Sequence, residues 1–154
     1  GVGFKIYISI LDELEIFNVI KTDNDLRAVK GKGTYSVLGF SRCNKYIGEE
    51  LLPTEQIKEN SIVAKRALYN ANMKTLNKIR SEYSIFLSKV DLENDLDEVM
   101  HDRLVTLLGE NSPVDYLQDS KHYHMVELIE KLSDTDCKTI YNHYNFACLK
   151  EVAE

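Results

Sequence analysis

The sequence predicts an α/β fold in which a mostly parallel sheet is flanked by helices and followed by a helical C-terminal part. Two short segments, residues 16–21 and 84–88, have the β-branched and aromatic composition of strands. The first is apolar at almost every position instead of alternating, which is typical of a parallel strand covered on both faces. Helical patterns separate the two segments, and strands that alternate with helices favour a parallel sheet.

The first half of the chain is assigned from apolar spacing and from glycines. Ile6, Ile10 and Leu14 recur at helical spacing ahead of the first strand, and Gly48 is placed to end the second helix. The elements predicted in order are a helix over 4–14, the first strand over 16–21, a loop over 26–33, a helix over 34–47 and an irregular stretch over 49–60.

A long helix is predicted to begin after Ser61, which can cap it, and to continue to about residue 83. Leu68, Leu76 and Ile79 give this helix one apolar face. The polar face is basic and carries Lys65, Arg66, Lys74, Lys78 and Arg80. Such a face is more often solvated than bound to DNA, so it does not by itself indicate function.

The part of the chain after the second strand is predicted to be helical. Asn94 or Asp95 is placed to cap a helix that ends at Gly109. Ser133 and Asp136 resemble the residue pair of a capping box. The remaining predicted helices cover 112–118, 120–132, 134–143 and 146–152.

Composition limits the classes of function. At 154 residues and 44% hydrophobic, the chain can bury the core of one domain. No apolar run approaches the ~18 residues of a membrane span. The cysteines Cys43, Cys137 and Cys148 are widely spaced and lack a C-x-x-C pair, which favours reduced structural thiols in a cytoplasmic protein over zinc ligands or disulfides.

Charge is distributed unevenly along the chain. The net charge of −6 argues against broad nonspecific coating of DNA. Residues 1–90 carry 14 basic and 10 acidic side chains, whereas residues 91–154 carry 5 basic and 15 acidic ones. The first part therefore leaves room for a local basic track.

Carboxylates follow both predicted strands. Asp23 and Asp25 follow the first strand, and Asp91 and Glu93 follow the second. Residues two apart in an extended strand project to the same side, and open parallel sheets bind ligands outside the carboxyl ends of their strands. If the two strands are neighbours, the four carboxylates meet and repel one another unless hard divalent cations such as Mg²⁺, Mn²⁺ or Ca²⁺ lie among them. Two such ions are the device of phosphodiester hydrolysis, and Arg27 and nearby lysines would then meet the phosphates.

Other interpretations stay open at this point. A D-x-D pair at a strand end is more often a solvated turn, and Asp91, Glu93 and Asp95 can simply favour the positive end of the next helix. The segment GKGT at residues 31–34 lacks the Ser/Thr after lysine and the upstream glycine of a phosphate-binding loop. The four histidines are isolated or face apart, so surface or hydrogen-bonded histidines are the better interpretation.

Four blocks of the sequence resemble one family. The segments IKTDNDLRAVKGKGTYSVLGFSRC, FLSKVDLENDL, PVDYLQDSKHYHMVELIEKLSDTDC and FACLKE, in this order, resemble the Toprim region of OLD-family ATP-dependent endonucleases, in particular the nuclease subunits of Gabija anti-phage defence systems. The resemblance covers nearly the whole chain and is weakest over 49–82. It implies a Toprim, Rossmann-like fold and a Mg²⁺- or Mn²⁺-dependent endonuclease that cuts or nicks DNA, with Ca²⁺ as a non-catalytic substitute.

The resemblance also implies roles for individual residues. Asp23 and Asp25 match the metal-binding D-x-D pair of the family, and Asp91 and Glu93 match its second acidic motif. Lys121, in DSKHYH, matches the lysine expected beside the scissile phosphate, where it would stabilise charge that develops in the transition state. The implied catalytic residues are therefore Asp25, Asp91 and Lys121.

Two parts of the family's enzymes are not found in these 154 residues: a first, glutamate-bearing acidic motif, and an ABC-type ATPase domain further upstream. We therefore expect the C-terminal part of a longer prokaryotic, cytoplasmic nuclease, which by itself binds metal weakly and cuts DNA poorly. The resemblance further implies a homo-oligomer and a helicase-like partner protein. The alternatives are a non-catalytic interaction or oligomerisation module, and a Toprim domain of topoisomerase or primase type.

Overall fold

The computed structural model describes residues 19–153, so the helix predicted over 4–14 lies outside the described residues. The chain divides into two compact units, and the described residues of the first lie in Asn18–Asp91 and those of the second in Leu92–Glu154. We call these the N-terminal and the C-terminal unit. None of the helices in the described part is long and apolar enough to cross a membrane.

The N-terminal unit contains the predicted pair of parallel strands. Its strands are β1 (Ile20–Thr22), β2 (Arg27–Val29), β3 (Thr34–Ser36) and β4 (Ile85–Leu87). Strands β1 and β4 are hydrogen-bonded in parallel, with Ile20 opposite Ile85 and Thr22 opposite Leu87. All three residues of β4 are buried, as expected for a strand covered on both faces. The prediction of a parallel sheet is confirmed, and the condition that the two apolar segments are neighbouring strands is met.

The prediction of a loop over 26–33 is wrong. Strands β2 and β3 form an antiparallel hairpin, and the following helix begins at Leu38 instead of residue 34. Tyr35 explains the difference, because its backbone exchanges hydrogen bonds of 2.8 and 2.9 Å with Ile57, far away in sequence. Such a pairing leaves no mark in the local sequence.

The helices of the N-terminal unit are α1 (Leu38–Ile47), α2 (Ile62–Ala71) and α3 (Met73–Tyr83). Gly48 ends α1 with φ +82°, and the Ser61 hydroxyl accepts a hydrogen bond from Ala64 N–H at 3.0 Å, so both predicted helix boundaries are confirmed. The prediction of a single helix that runs to residue 83 is wrong, because the helix breaks at Asn72. The Asn72 amide donates to the Leu68 carbonyl at 2.9 Å and satisfies a carbonyl that the break exposes.

One apolar core joins the helices of this unit to the parallel strands. It is formed by residues of α1, α2, α3 and β4 and of the segments around them: Val37, Phe40, Cys43, Leu52, Tyr69, Leu76, Ile79, Ile85 and Leu87. Leu76 and Ile79 belong to the apolar face that the sequence predicts. The helices thus hold β1 and β4 in place, and with them the segments that follow each strand.

The C-terminal unit is helical, as predicted. Its α-helices are α4 (Leu92–Leu108), α5 (Pro113–Gln118), α6 (Lys121–Lys131), α7 (Asp134–Tyr141) and α8 (Cys148–Ala153), with a 3₁₀ turn at Tyr144–Phe146. Helix α4 is central, because α5, α6, α7 and the 3₁₀ turn all pack against it. Its backbone departs from helical geometry at Met100 (φ −154°, ψ 48°).

Some predicted helix ends of this unit are confirmed and one is wrong. Gly109 follows α4 with φ +69°, and Ser133 and Asp136 form the capping box with bonds of 3.1 and 2.9 Å. Asn94 and Asp95, however, do not cap α4, since the helix begins at Leu92 and both residues are buried inside it. The Asn145 amide, which is distant in sequence, donates to the Asp95 carbonyl at 3.2 Å, so tertiary contacts bury this turn.

Candidate functional site

The parallel pairing of β1 and β4 continues beyond both strands. Ser88 N–H donates to the Thr22 carbonyl at 2.8 Å, and Asn24 N–H donates to the Val90 carbonyl at 3.0 Å. The segment after β1 therefore remains joined to the segment after β4. The three predicted aspartates are each adjacent in sequence to one of the two residues in this last hydrogen bond: Asp23 and Asp25 flank Asn24, and Asp91 follows Val90. Their backbones lie at the same edge of the sheet, where both strands end.

The buried side chain of Asn24 anchors the segment Asp23–Asn24–Asp25. Strand β1 ends at Thr22, so the condition that the strand persists through the aspartates is not met. Alternation continues nevertheless, because Asn24 is fully buried whereas Asp23 and Asp25 are partly exposed. The Asn24 amide donates to the carbonyls of Lys65 at 3.1 Å and Lys89 at 3.0 Å. Within residues 19–153, its buried Oδ1 atom accepts no hydrogen bond.

Arg42, on α1, connects Asp25 to the end of β1. One guanidinium nitrogen donates to the Asp25 carboxylate, and the other donates to the Thr22 hydroxyl at 2.9 Å. The side chains of Arg42 and Asp25 are 31% and 41% exposed, so the pair lies at the surface of the unit. A planar guanidinium that bonds two groups at once fixes their relative orientation. Sequence reasoning did not identify Arg42, because its partners lie on another element.

Gly39 allows α1 to approach the same segment closely. Its N–H donates to the Asp25 carbonyl at 3.0 Å, which supplies the capping acceptor that no side chain provides for this helix. A Cβ atom on Gly39 would lie 2.6 Å from the Asp23 carbonyl oxygen and 2.9 Å from Asn24 Cα. Only a residue without Cβ fits there, so this glycine determines how near the helix comes to the aspartates.

Glu93 and Lys121 contact each other in the C-terminal unit. The Glu93 carboxylate is 2% exposed, and Lys121 Nζ lies 2.8 Å from its Oε1 atom, whereas the Lys121 side chain is 54% exposed. A buried carboxylate requires such a compensating charge, and Glu93 also lies in the first turn of α4, where the helix dipole favours a negative charge. Two residues to which the resemblance gives a role thus form one ion pair.

The donor atoms at the strand ends fit a hard cation. Within residues 19–153, no three His, Cys, Asp or Glu side chains are placed together as a preformed metal-binding group. The predicted donors at the strand ends are the carboxylates of Asp23, Asp25 and Asp91, and carboxylate oxygens are ligands that Mg²⁺, Mn²⁺ and Ca²⁺ prefer. The chemistry of these donors therefore suits a hard divalent metal.

Three histidines have partners that account for them. His101 bonds the Asp97 carboxylate at 2.7 Å, and that bond raises the pKa of His101. His124 Nδ1 lies 2.6 Å from the Tyr116 carbonyl and its ring stacks on the Tyr116 ring. His143 accepts a backbone N–H at 3.0 Å as a helix cap. These contacts confirm the interpretation of hydrogen-bonded structural histidines.

The cysteines also have the expected structural character. Cys43 and Cys148 are buried, Cys137 is partly buried, and all three are free thiols. Burial raises the pKa of Cys43 to about 12, despite the opposing charge of Arg42. A thiol with so high a pKa is unreactive at neutral pH, which agrees with a packing role.

The chain is similar in sequence to a curated bacterial endonuclease. No protein-family model matches the chain. Over 164 aligned residues, which include 99% of the chain, the sequence is 37% identical to the Endonuclease GajA of Bacillus cereus (strain VD045). The chain spans 28% of the length of that relative. The similarity thus covers nearly all of this chain but less than a third of the relative.

Proposed function

We propose that this chain is the nuclease region of a DNA endonuclease that acts in anti-phage defence, as a Toprim domain of the OLD family. The similarity to Endonuclease GajA supports a nuclease over the other classes of function. The structural observation that carries the proposal is the parallel pairing of β1 with β4, because it brings the backbones of Asp23, Asp25 and Asp91 to one edge of the sheet.

In this proposal Asp23, Asp25 and Asp91 would hold Mg²⁺ or Mn²⁺ in the N-terminal unit. Glu93, the fourth carboxylate that the resemblance implies, lies in the C-terminal unit, where it is paired with Lys121. Such ions, when bound there, would supply positive charge to the attacking and leaving oxygens of a phosphodiester. The chain itself contributes the fixed backbone on which these carboxylates are carried. That backbone is held by hydrogen bonds from Asn24 and Gly39.

Lys121 stabilises the negative charge that develops on the phosphate. Its side chain is 54% exposed, and its ammonium group lies 2.8 Å from the Glu93 carboxylate. An ammonium group has three hydrogens, so a lysine that is already in an ion pair can also donate to a phosphate. Fixed positive charge of this kind acts where charge increases in the transition state. Arg42 is a positioning residue, which holds Asp25 against the end of β1.

The experiment uses the full-length protein. Asp25→Ala and Asp91→Ala are each expected to abolish Mg²⁺-dependent cleavage of plasmid DNA and to leave the circular dichroism spectrum unchanged. Asp102→Ala is the matched control, since Asp102 is an exposed carboxylate on α4. Unchanged cleavage by either variant would reject the role assigned to that residue.

A calorimetric titration with Mn²⁺ separates this proposal from a non-catalytic interaction module. We expect Mn²⁺ to bind the full-length protein and the affinity to fall in Asp25→Ala and Asp91→Ala. Full-length protein that binds no Mn²⁺ would favour the module, in which the chain serves oligomerisation or contact with a helicase-like partner. Sedimentation of the full-length protein tests the expected homo-oligomer independently.

A further inference from the structure

We propose that the hairpin β2–β3, residues 27–36, binds the phosphate backbone of double-stranded DNA beside the candidate site. The inference rests on the proposed nuclease function and deepens it, because it names the surface that holds the substrate. The hairpin carries Arg27, Lys30 and Lys32 and no acidic residue, in a chain whose net charge is −6. All three basic side chains belong to exposed residues.

The hairpin is an ordered ribbon and not a loose loop. Arg27 lies opposite Ser36 and Val29 opposite Thr34, and Lys32 N–H donates to the Val29 carbonyl at 3.3 Å. At the tip, Gly31 and Gly33 have φ of +77° and +64°. A Cβ atom on either glycine would meet nothing within 4 Å in the described structure, so the tip stands open. The fold therefore presents Lys30 and Lys32 on a fixed turn.

The base of this ribbon lies at the edge that carries the aspartates. Strand β2 begins two residues after Asp25, and β3 leads directly into α1. The hydrogen bond from Gly39 N–H to the Asp25 carbonyl closes this base. Three residues of strand extend about 10 Å. Because phosphates of one DNA strand follow at about 3.4 Å along the helix axis, the tip reaches a phosphate about three nucleotides away from the aspartates.

The chemistry of the ribbon favours contact with phosphates over contact with bases. Its exposed groups at the tip are two ammonium groups, which bind phosphate as point charges. Tyr35, the one aromatic residue of the hairpin, is partly buried by its pairing with Ile57 and is not presented at the tip. Base stacking by this ribbon is therefore not expected, and binding should be independent of DNA sequence and sensitive to salt.

The test measures how DNA affinity depends on salt. The full-length protein in EDTA is titrated against a fluorescent 40-base-pair duplex at a series of salt concentrations. The double variant Lys30→Gln/Lys32→Gln should lower the slope of log K against log salt by about 1.8, since each phosphate contact contributes about 0.9. The control Lys74→Gln/Lys78→Gln removes two exposed charges from α3 and should leave the slope unchanged.

Two further measurements make the outcome unambiguous. Lys30→Arg/Lys32→Arg should retain the wild-type slope, because the charge is preserved. In cleavage assays the glutamine variant should raise KM and keep kcat. An unchanged slope in the glutamine variant, or an equal fall in the α3 control, would overturn the inference. The proposed function would be rejected by a different result, namely unchanged cleavage in Asp25→Ala. That result is independent of the salt dependence of DNA affinity.

Discussion

The substitution Asn24→Ala probes how the aspartate segment is held. Asn24 is fully buried and donates hydrogen bonds to the carbonyls of Lys65 and Lys89 at 3.1 and 3.0 Å. These two carbonyls belong to α2 and to the segment after β4. One side chain thus joins the segment after β1 to two other elements of the N-terminal unit, and its loss should loosen all three.

The magnitude follows from the two hydrogen bonds. Each contributes about 0.5–1.5 kcal/mol net, and a carbonyl left without a partner in the interior costs about 1–3 kcal/mol. Alanine also leaves a small cavity where the amide was. Allowing the two carbonyls to regain part of their hydration, we expect Asn24→Ala to lower the free energy of unfolding by about 2–4 kcal/mol.

The assay is urea denaturation of the 154-residue chain, followed by circular dichroism. Asn70→Ala is the control, because Asn70 is an exposed asparagine on α2, and its effect should stay within about 0.5 kcal/mol. Asn24→Asp is expected to destabilise at least as strongly at neutral pH, because it places a carboxylate against two carbonyl oxygens. A loss below about 1 kcal/mol in Asn24→Ala would refute the reasoning from buried hydrogen bonds.

Two further predictions concern packing and pH. Gly39→Ala places a Cβ atom 2.6 Å from the Asp23 carbonyl oxygen, so urea denaturation should show that the free energy of unfolding falls by about 1–3 kcal/mol. The exposed control Ser41→Ala, on the same helix, should leave the free energy of unfolding unchanged. Equal stabilities of the two variants would contradict the close approach of the helix. Burial alone would raise the pKa of Asp136, but hydrogen bonds from Arg103 and from the capping serine outweigh it and lower that pKa below its ordinary value of 3.8. The stabilisation from this carboxylate is therefore present above about pH 3.8 and is lost as the pH falls through the lower folded-state pKa. The difference in unfolding free energy between the wild type and Asp136→Asn should shrink over that range, and a difference independent of pH would argue against it.

The parallel strands could be predicted because burial on both faces leaves a continuous apolar run in the sequence. The hairpin could not, since Arg27–Val29 and Thr34–Ser36 are only three residues long and are stabilised by each other and by Ile57. The start of α4 at Leu92 was missed for a similar reason, since Asn145 bonds the Asp95 carbonyl from 50 residues away. In each case contacts distant in sequence outweigh local propensity.

The candidate site divides in the same way. The aspartates could be predicted from the rule that ligand sites lie beyond the carboxyl ends of parallel strands. Arg42 and Gly39 could not, because each acts from α1 on a segment that precedes it in the chain. The amide of Asn24 gave no signal either, since a D-x-D pattern places no requirement on its middle residue.

In the segment after β1, the residues that hold the backbone differ from the residues that are proposed to take part in cleavage. Its backbone is held by the Val90 carbonyl and the Gly39 N–H, and its middle side chain by two further carbonyls. The side chains of Asp23 and Asp25 take no part in these bonds. Arg42 does bind the Asp25 carboxylate at the surface of the unit. Substitutions of the aspartates should therefore cost less stability than Asn24→Ala and Gly39→Ala, and they should act on chemistry first. This separation is why activity and unfolding, measured together on the same variants, can distinguish a nuclease site from a solvated turn.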